Sequence, residues 1–104
     1  MTLVLVQSKN LELTPTIEAA AQKAGQKLFR LDKKLSRVEF YLEFAGTTGH
    51  DQTISKLKLL RNGGKDLFVE SKDVDLYESI KESAKQAHDA LLREKSRTLD
   101  KSHR

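Results

Sequence analysis

The stretch RVEFYLEFA at positions 37–45 alternates without a break, with Val38, Phe40, Leu42 and Phe44 on one side and Glu39, Tyr41 and Glu43 on the other. Successive side chains of a strand point to opposite faces, so this period of two predicts a strand with one face buried and one in water. A helix would scatter the same apolar residues around its cylinder. Sheets with one wet face are antiparallel or mixed, and the rest of the chain has only to cover the other face. TISKLKLLRN at 53–62 resumes the alternation, setting Leu57 and Leu59 against Lys56 and Lys58. Asn62-Gly63-Gly64 then marks a tight hairpin, because these residue types tolerate positive φ, and the returning strand is expected from about Asp66 to Ser71. TLVLVQS at 2–8, aliphatic and β-branched, reads as the first strand.

The cover comes from two helical patterns. Thr14 and Pro15 suit an N-cap and a first helical position, and Glu18 follows near the positive end of the helix dipole. From there Ile17, Ala21, Ala24, Leu28, Leu31 and Leu35 recur at intervals of four and three, one apolar stripe down a helix. Asp75 and Glu78 fit a capping box, after which Leu76, Ile80, Ala84, Ala87 and Leu91 mark the buried face of a second helix running into the nineties. With no Gly or Pro to stop it, that helix is expected to fray into the polar basic tail TLDKSHR at 98–104. At 104 residues the chain suits one domain, 1–97, with that tail attached. The expected fold is α+β: a two-layer β-α-β-β-β-α sandwich with a four-stranded sheet and two helices packed on one face, similar to a double-stranded RNA-binding domain.

Chemistry-bearing patterns are sparse. The chain has no cysteine, and His50, His88 and His103 lack metal-ligand spacing, so no metal and no cofactor are expected. The N-terminal apolar run is too short for a membrane span and has no basic region before it, which points to the cytoplasm. His50-Asp51 is a base-acid neighbour pair without a nucleophile or pocket, and an ordinary loop explains it better than catalysis. Gly46, Gly49, Gly63 and Gly64 lie in turns without the Lys-Ser/Thr of a phosphate loop. Asp73, Asp75 and Glu78 lack the further oxygen ligands of a calcium loop and are read as a helix cap. Tyr77 is read as packing against the sheet edge rather than stacking on a base. A stacking platform on the sheet would rest on Tyr41 and Phe68 with Lys56 and Lys58, and is not favoured. No small-molecule substrate and no enzyme activity are expected.

The charge is more telling. The formal net charge is +4, but residues 93–104 hold Arg93, Lys95, Arg97, Lys101 and Arg104 against Glu94 and Asp100, and residues 23–37 hold six cations against Asp32 alone. Lys23, Lys27, Arg30 and Lys34 recur at four, three and four, a basic stripe roughly 110° round the helix from the apolar one. No acid within 19–31 pairs with them locally. On the last helix Lys81, Lys85, His88 and Lys95 lie on one side and Glu78, Glu82 and Asp89 on the other. A charged helix face is ordinarily a solubility device, but cations sorted without acids suit a polyanion, where releasing counterions from phosphates favours binding.

ELTPTI at 12–17, QKLFRL at 26–31, the alternating strand and RNGGKDLFVESKDVDLYESI at 61–80 together resemble the ribosome hibernation promoting factors, also called ribosome-associated inhibitors or sigma-54 modulation proteins. The likeness covers nearly the whole chain, and its most specific element is Asp75-x-Tyr77-x-x-Ile80. It implies a β-α-β-β-β-α fold and a cytoplasmic, non-catalytic role in ribosome hibernation. Members bind the 16S rRNA of the small ribosomal subunit in the channel for messenger and transfer RNA, at the decoding region. They thereby inhibit translation under stress or in stationary phase. By the resemblance, Lys27, Arg30, Lys34, Arg93 and Arg97 match basic positions of the family; Lys23, Lys85 and Lys95 join them from face geometry alone. Glu18, Lys81, Gln86 and Asp89 depart from the family pattern, which predicts a different contact register in the middle of the last helix. The length resembles the short form, which usually works with a second hibernation factor to pair ribosomes.

Two other classes remain open on sequence. A double-stranded RNA-binding domain shares the α-β-β-β-α order, but its consecutive lysines at the last helix start are absent and the first strand is unexplained. A protein-interaction module would dock the charge-sorted last helix on a partner.

Overall fold

The computed structural model of the protein describes residues 3–46 and 52–102, with side chains as far as Lys95. The order is β1 (Val4–Lys9), α1 (Pro15–Leu31), β2 (Leu35–Phe44), β3 (Thr53–Arg61), β4 (Leu67–Asp73) and α2 (Leu76–Ser102). The four strands form one sheet in sequence order, β1 parallel to β2 and the other pairs antiparallel. α1 crosses between the two parallel strands and covers β1 and β2, while α2 covers β3 and β4 and packs beside α1. This is the expected α+β sandwich.

The alternation of β2 does what its pattern implies. Val38, Phe40 and Leu42 are buried with Leu57 and Leu59 of β3 beneath the helices, while Phe44 reaches the rim and is partly exposed. A bulge at Ser36 lets Leu35 and Val38 share the core face although they are three residues apart. Ser36 Oγ there donates to the Leu60 carbonyl at 3.0 Å.

Thr14 caps α1, its Oγ1 accepting from the Ile17 N–H at 3.2 Å, and Pro15 opens the helix. The helix stops at Leu31, so the expected stripe is cut short: Leu35 belongs to β2, and Lys34 sits in the intervening turn. Periodicity could not show this, because Leu35 continues the apolar pattern whichever element it joins. Mid-helix Gly25 is buried where α1 crosses β1, and a Cβ there would lie 2.8 Å from both γ-carbons of Val4.

At the start of α2, Asp75 Oδ1 accepts the Tyr77 N–H and Asp73 Oδ1 accepts the Asp75 N–H, each at 2.9 Å. Asp73 thus fills the reciprocal role expected of Glu78. Ser79 and Ser83 are fully buried beside Leu76, Ile80, Ala87 and Leu91, whereas Ala84, expected in the core, is half-exposed. Ser83 meets Ser55 of β3 at 2.8 Å and Ser79 meets Thr53 at 3.2 Å. Their small volume lets the helix approach the sheet, and the hydroxyls, costly to bury unpaired, are satisfied: Thr53 donates to the Asp73 carbonyl and Ser79 to that of Leu76, each at 2.7 Å, Ser83 to that of Ile80 at 2.9 Å, and Ser55 to Ser83. The helix continues to Ser102, beyond its expected end in the nineties. Gly63, at φ +68°, supplies the positive φ of the β3–β4 turn, and Asn62 N–H donates to the Lys34 carbonyl at 2.7 Å.

Candidate nucleic-acid interface

α1 and α2 lie side by side and run the same way, early residues facing early and late facing late. Between them is a concavity of about 430 Å³ with an apolar floor of Ala20, Ala24, Leu28, Ile80 and Ala84. Its walls are Lys23 and Lys27 from α1 and Lys81, Lys85 and His88 from α2, with Tyr77 at the early end. The small floor residues follow from the helix contact; the long basic chains stand on the outer edge of each stripe, where their charged ends stay in water. None of the four lysines lies within 4 Å of a described carboxylate. His88 Nδ1 stands 3.6 Å from Asp89 on its own helix.

The structure therefore brings Lys23, Lys27 and Lys85 of the expected RNA-binding set into one groove and adds Lys81 and His88. Arg30, Lys34 and Lys95 meet at the far end of the same helix pair, around a second concavity with Lys33, Arg61 and Asp32. Lys34 reaches it from the turn after α1, not from the helix itself. Exposed Arg93 points elsewhere, roughly 120° round α2 from Lys81 at 100° per residue, on the side of Glu82 and Asp89. The Arg97 side chain lies outside the described residues, as does the His50-Asp51 pair. Tyr77 is not packed against the sheet edge; it is 45% exposed at the mouth of the groove. Arg61 was missed because a lone arginine ending an alternating strand gives no signal of its own.

The other side of the sheet is uncovered by either helix. Cross-strand rows place Glu39 beside Lys58 and Phe68, and Tyr41 beside Lys56 and Glu70. Glu39, expected in water, is buried: Arg37 Nε approaches its Oε2 at 2.8 Å as an ion pair and the Tyr41 hydroxyl donates to its Oε1. That hydrogen bond, then burial and the Glu39 charge, push the Tyr41 phenol above its ordinary pKa of 10.0, against a lowering by Arg37. Phe68 is 69% exposed with Lys58 Nζ 5.7 Å from its ring centre. Among the described residues no group of His, Asp and Glu is arranged to hold a metal ion, and no helix is long and apolar enough to cross a membrane.

The family model described as sigma 54 modulation protein / S30EA ribosomal protein matches residues 4–98. Among solved structures, the Protein Y N-terminal domain of Thermus thermophilus is similar at 22% identity and a TM-score of 0.76, over 89% of this chain and 98% of that one. A ribosomal subunit interface protein from Coxiella burnetii is similar at 12% identity and a TM-score of 0.74, over 92% of this chain and 99% of that one. Both likenesses are of fold. No curated protein matches.

Proposed function

The chain belongs to the sigma 54 modulation protein / S30EA ribosomal protein family, a family of ribosome-associated proteins, and on that premise we propose that it is a ribosome hibernation factor acting in the cytoplasm. It binds 16S rRNA of the small subunit in the channel used by messenger and transfer RNA, and silences translation under stress by occupying that space. The observation that carries this reading is the inter-helix groove: Lys23 and Lys27 face Lys81 and Lys85 across an apolar floor, without a described carboxylate within 4 Å. Four such cations gain counterion-release free energy from a phosphate backbone and little from a neutral partner. The action proposed is binding, for which the cations of the groove suffice. A second hibernation factor that pairs the silenced ribosomes belongs to the same proposal.

Sucrose-gradient sedimentation of a stationary-phase lysate tests it. The protein is expected with ribosomal particles at low salt and released as salt rises. Recovery only at the top of the gradient, together with tight salt-sensitive binding to a free RNA duplex, would replace this reading with a duplex-binding one.

A further inference from the structure

Where α1 ends, a concavity of about 300 Å³ is lined by Arg30, Lys33, Lys34, Arg61 and Lys95 around a single acid, Asp32. Both oxygens of that acid are already used: Oδ2 by Arg61 Nε at 2.8 Å and Oδ1 by the Lys34 N–H at 2.9 Å. The pair is well buried, with 7% of the Arg61 side chain and 12% of Asp32 exposed. A buried ion pair returns little stability for the desolvation it costs, but it fixes a guanidinium in place. Asp32 takes only the Nε–H and Nη1 packs against Gly64, so Arg61 meets the pocket with the remaining edge of its planar guanidinium, a group that recognises phosphate oxygens.

The other four cations are exposed and lie within 4 Å of no described carboxylate. Complementing the negative end of the α1 dipole accounts for Arg30, Lys33 and Lys34. It does not account for Lys95, which comes from the other helix, or for Arg61, which is buried at the end of β3. The volume falls at the small end of ligand pockets, roughly 300–1,000 Å³, with room for one phosphate and its sugar. Arg30 lies one turn beyond Lys27, about 4.5 Å of helix rise, so the pocket continues the line of the groove.

We propose that this pocket is a preformed phosphate subsite, with Arg61 and Lys33 as its unrecognised members, which takes one phosphodiester of a single RNA strand as it leaves the inter-helix groove. The proposal rests on the polyanion reading of that groove. NMR on the full chain tests it, following the Arg61 Nε–H and the Lys34 amide during titration with inorganic phosphate, uridine monophosphate and a short oligouridylate. Both resonances are expected to shift and saturate, with the oligouridylate binding at least about tenfold more tightly than the mononucleotide because it also fills the groove. The exposed pair Lys33→Glu with Lys95→Glu, checked for an unchanged thermal midpoint, is expected to remove the phosphate response. It should also lower the log–log salt slope for oligouridylate by about 0.7, the share of one phosphate. Absent shifts, or shifts that persist in that variant, would overturn the subsite. Equal affinity for mononucleotide and strand would overturn the strand assignment in favour of a free nucleotide. Phosphate shifts in a protein that never sediments with ribosomes keep the pocket and lose the ribosome; sedimentation without the shifts loses only the pocket.

Discussion

In the inter-helix groove, Lys23, Lys27, Lys81 and Lys85 face one another across two helices with no acid among them, whereas on the open sheet face Lys9, Arg37, Lys56, Lys58 and Lys72 are interspersed with Glu39, Glu43 and Glu70, of which Glu39 pairs with Arg37 and Glu70 with Lys72. The cause is geometric. Neighbouring strands hold opposed side chains about 5 Å apart, where like charges repel, so a sheet face interleaves its signs. A helix can sort its charges by face, and two helices laid the same way can bring two basic edges together. The groove gathers cations alone, whereas the sheet face mixes both signs and pairs Arg37 with Glu39 and Lys72 with Glu70. The net charge of +4 conceals this, since both surfaces contribute cations to it.

The largest expected effect breaks that contrast. Reversing Lys23, Lys27, Lys81 and Lys85 to Glu is expected to weaken ribosome association on the order of 100- to 1,000-fold, measured by co-sedimentation, and to flatten the salt dependence. Lys56→Glu with Lys58→Glu is expected to change it less than about threefold, because those lysines stand on the sheet face that the helices leave open, away from the groove. Equal losses from the two sets would remove the distinction between the faces.

Next come the contacts that set the walls of the groove. Gly25→Ala should gain up to about 1 kcal/mol of helix propensity. It drives a methyl group to 2.8 Å from both γ-carbons of Val4, whose branched side chain has little freedom to turn away. Overpacking of this kind costs about 1–3 kcal/mol, so a net loss of stability is expected in thermal unfolding. Val4→Ala in the same chain should recover part of it; a stabilised Gly25→Ala would show that α1 can ride higher on β1.

The other wall depends on hydroxyls. Ser83 donates its proton to the Ile80 carbonyl at 2.9 Å, so Ser55 is the donor in the 2.8 Å contact between them. Ser83→Ala leaves the Ser55 hydroxyl buried without that acceptor and is expected to cost about 1–2 kcal/mol in denaturant unfolding. Ser55→Ala together with Ser83→Ala should be much closer to neutral. Additive losses would mean that water or a neighbouring carbonyl satisfies each hydroxyl separately.

These same contacts mark where sequence reasoning stopped. Element order, the capped start of α1, the buried side of β2 and the sorting of charge along α2 were legible, since each follows from local period or turn chemistry. The seam of Ser55, Ser79 and Ser83 was not, because a serine facing a sheet has the same letter as one facing water. Nor was the end of α1: Lys34 and Leu35 continue both helical stripes, and only the pairing of Leu35 with Arg61 decides that the chain has become a strand. Of the candidate contacts, those spaced along one helix could be grouped in advance. The meeting of Lys95 with Arg30 and Lys34 needs the fold, and so does the Asp32–Arg61 pair, 29 residues apart in the chain.

The smallest expected effect concerns the Arg37–Glu39–Tyr41 cluster on the sheet face. Glu39 has both oxygens engaged, one by Arg37 and one by the Tyr41 hydroxyl, and removal of the phenol proton would set two negative charges against each other. Tyr41 should therefore titrate above 10.0 in the folded protein. With the folded pKa raised, its contribution to stability is fully present below pH 10.0 and is lost as pH climbs through the higher folded value. Tyr41 and Tyr77 are the two tyrosines of the chain, so a Tyr77→Phe background isolates the signal for ultraviolet titration. In that background Glu39→Gln keeps an acceptor but removes the charge, and should bring the Tyr41 midpoint back towards 10.0. Lys56→Gln, by contrast, should barely move it, because the shift arises from Glu39 and burial rather than from the cross-strand lysine. A Tyr41 midpoint at or below 10.0 with Glu39 intact would mean that the Arg37 charge outweighs the Glu39 hydrogen bond, and that this corner of the sheet face is electrostatically closer to the groove than to a paired surface.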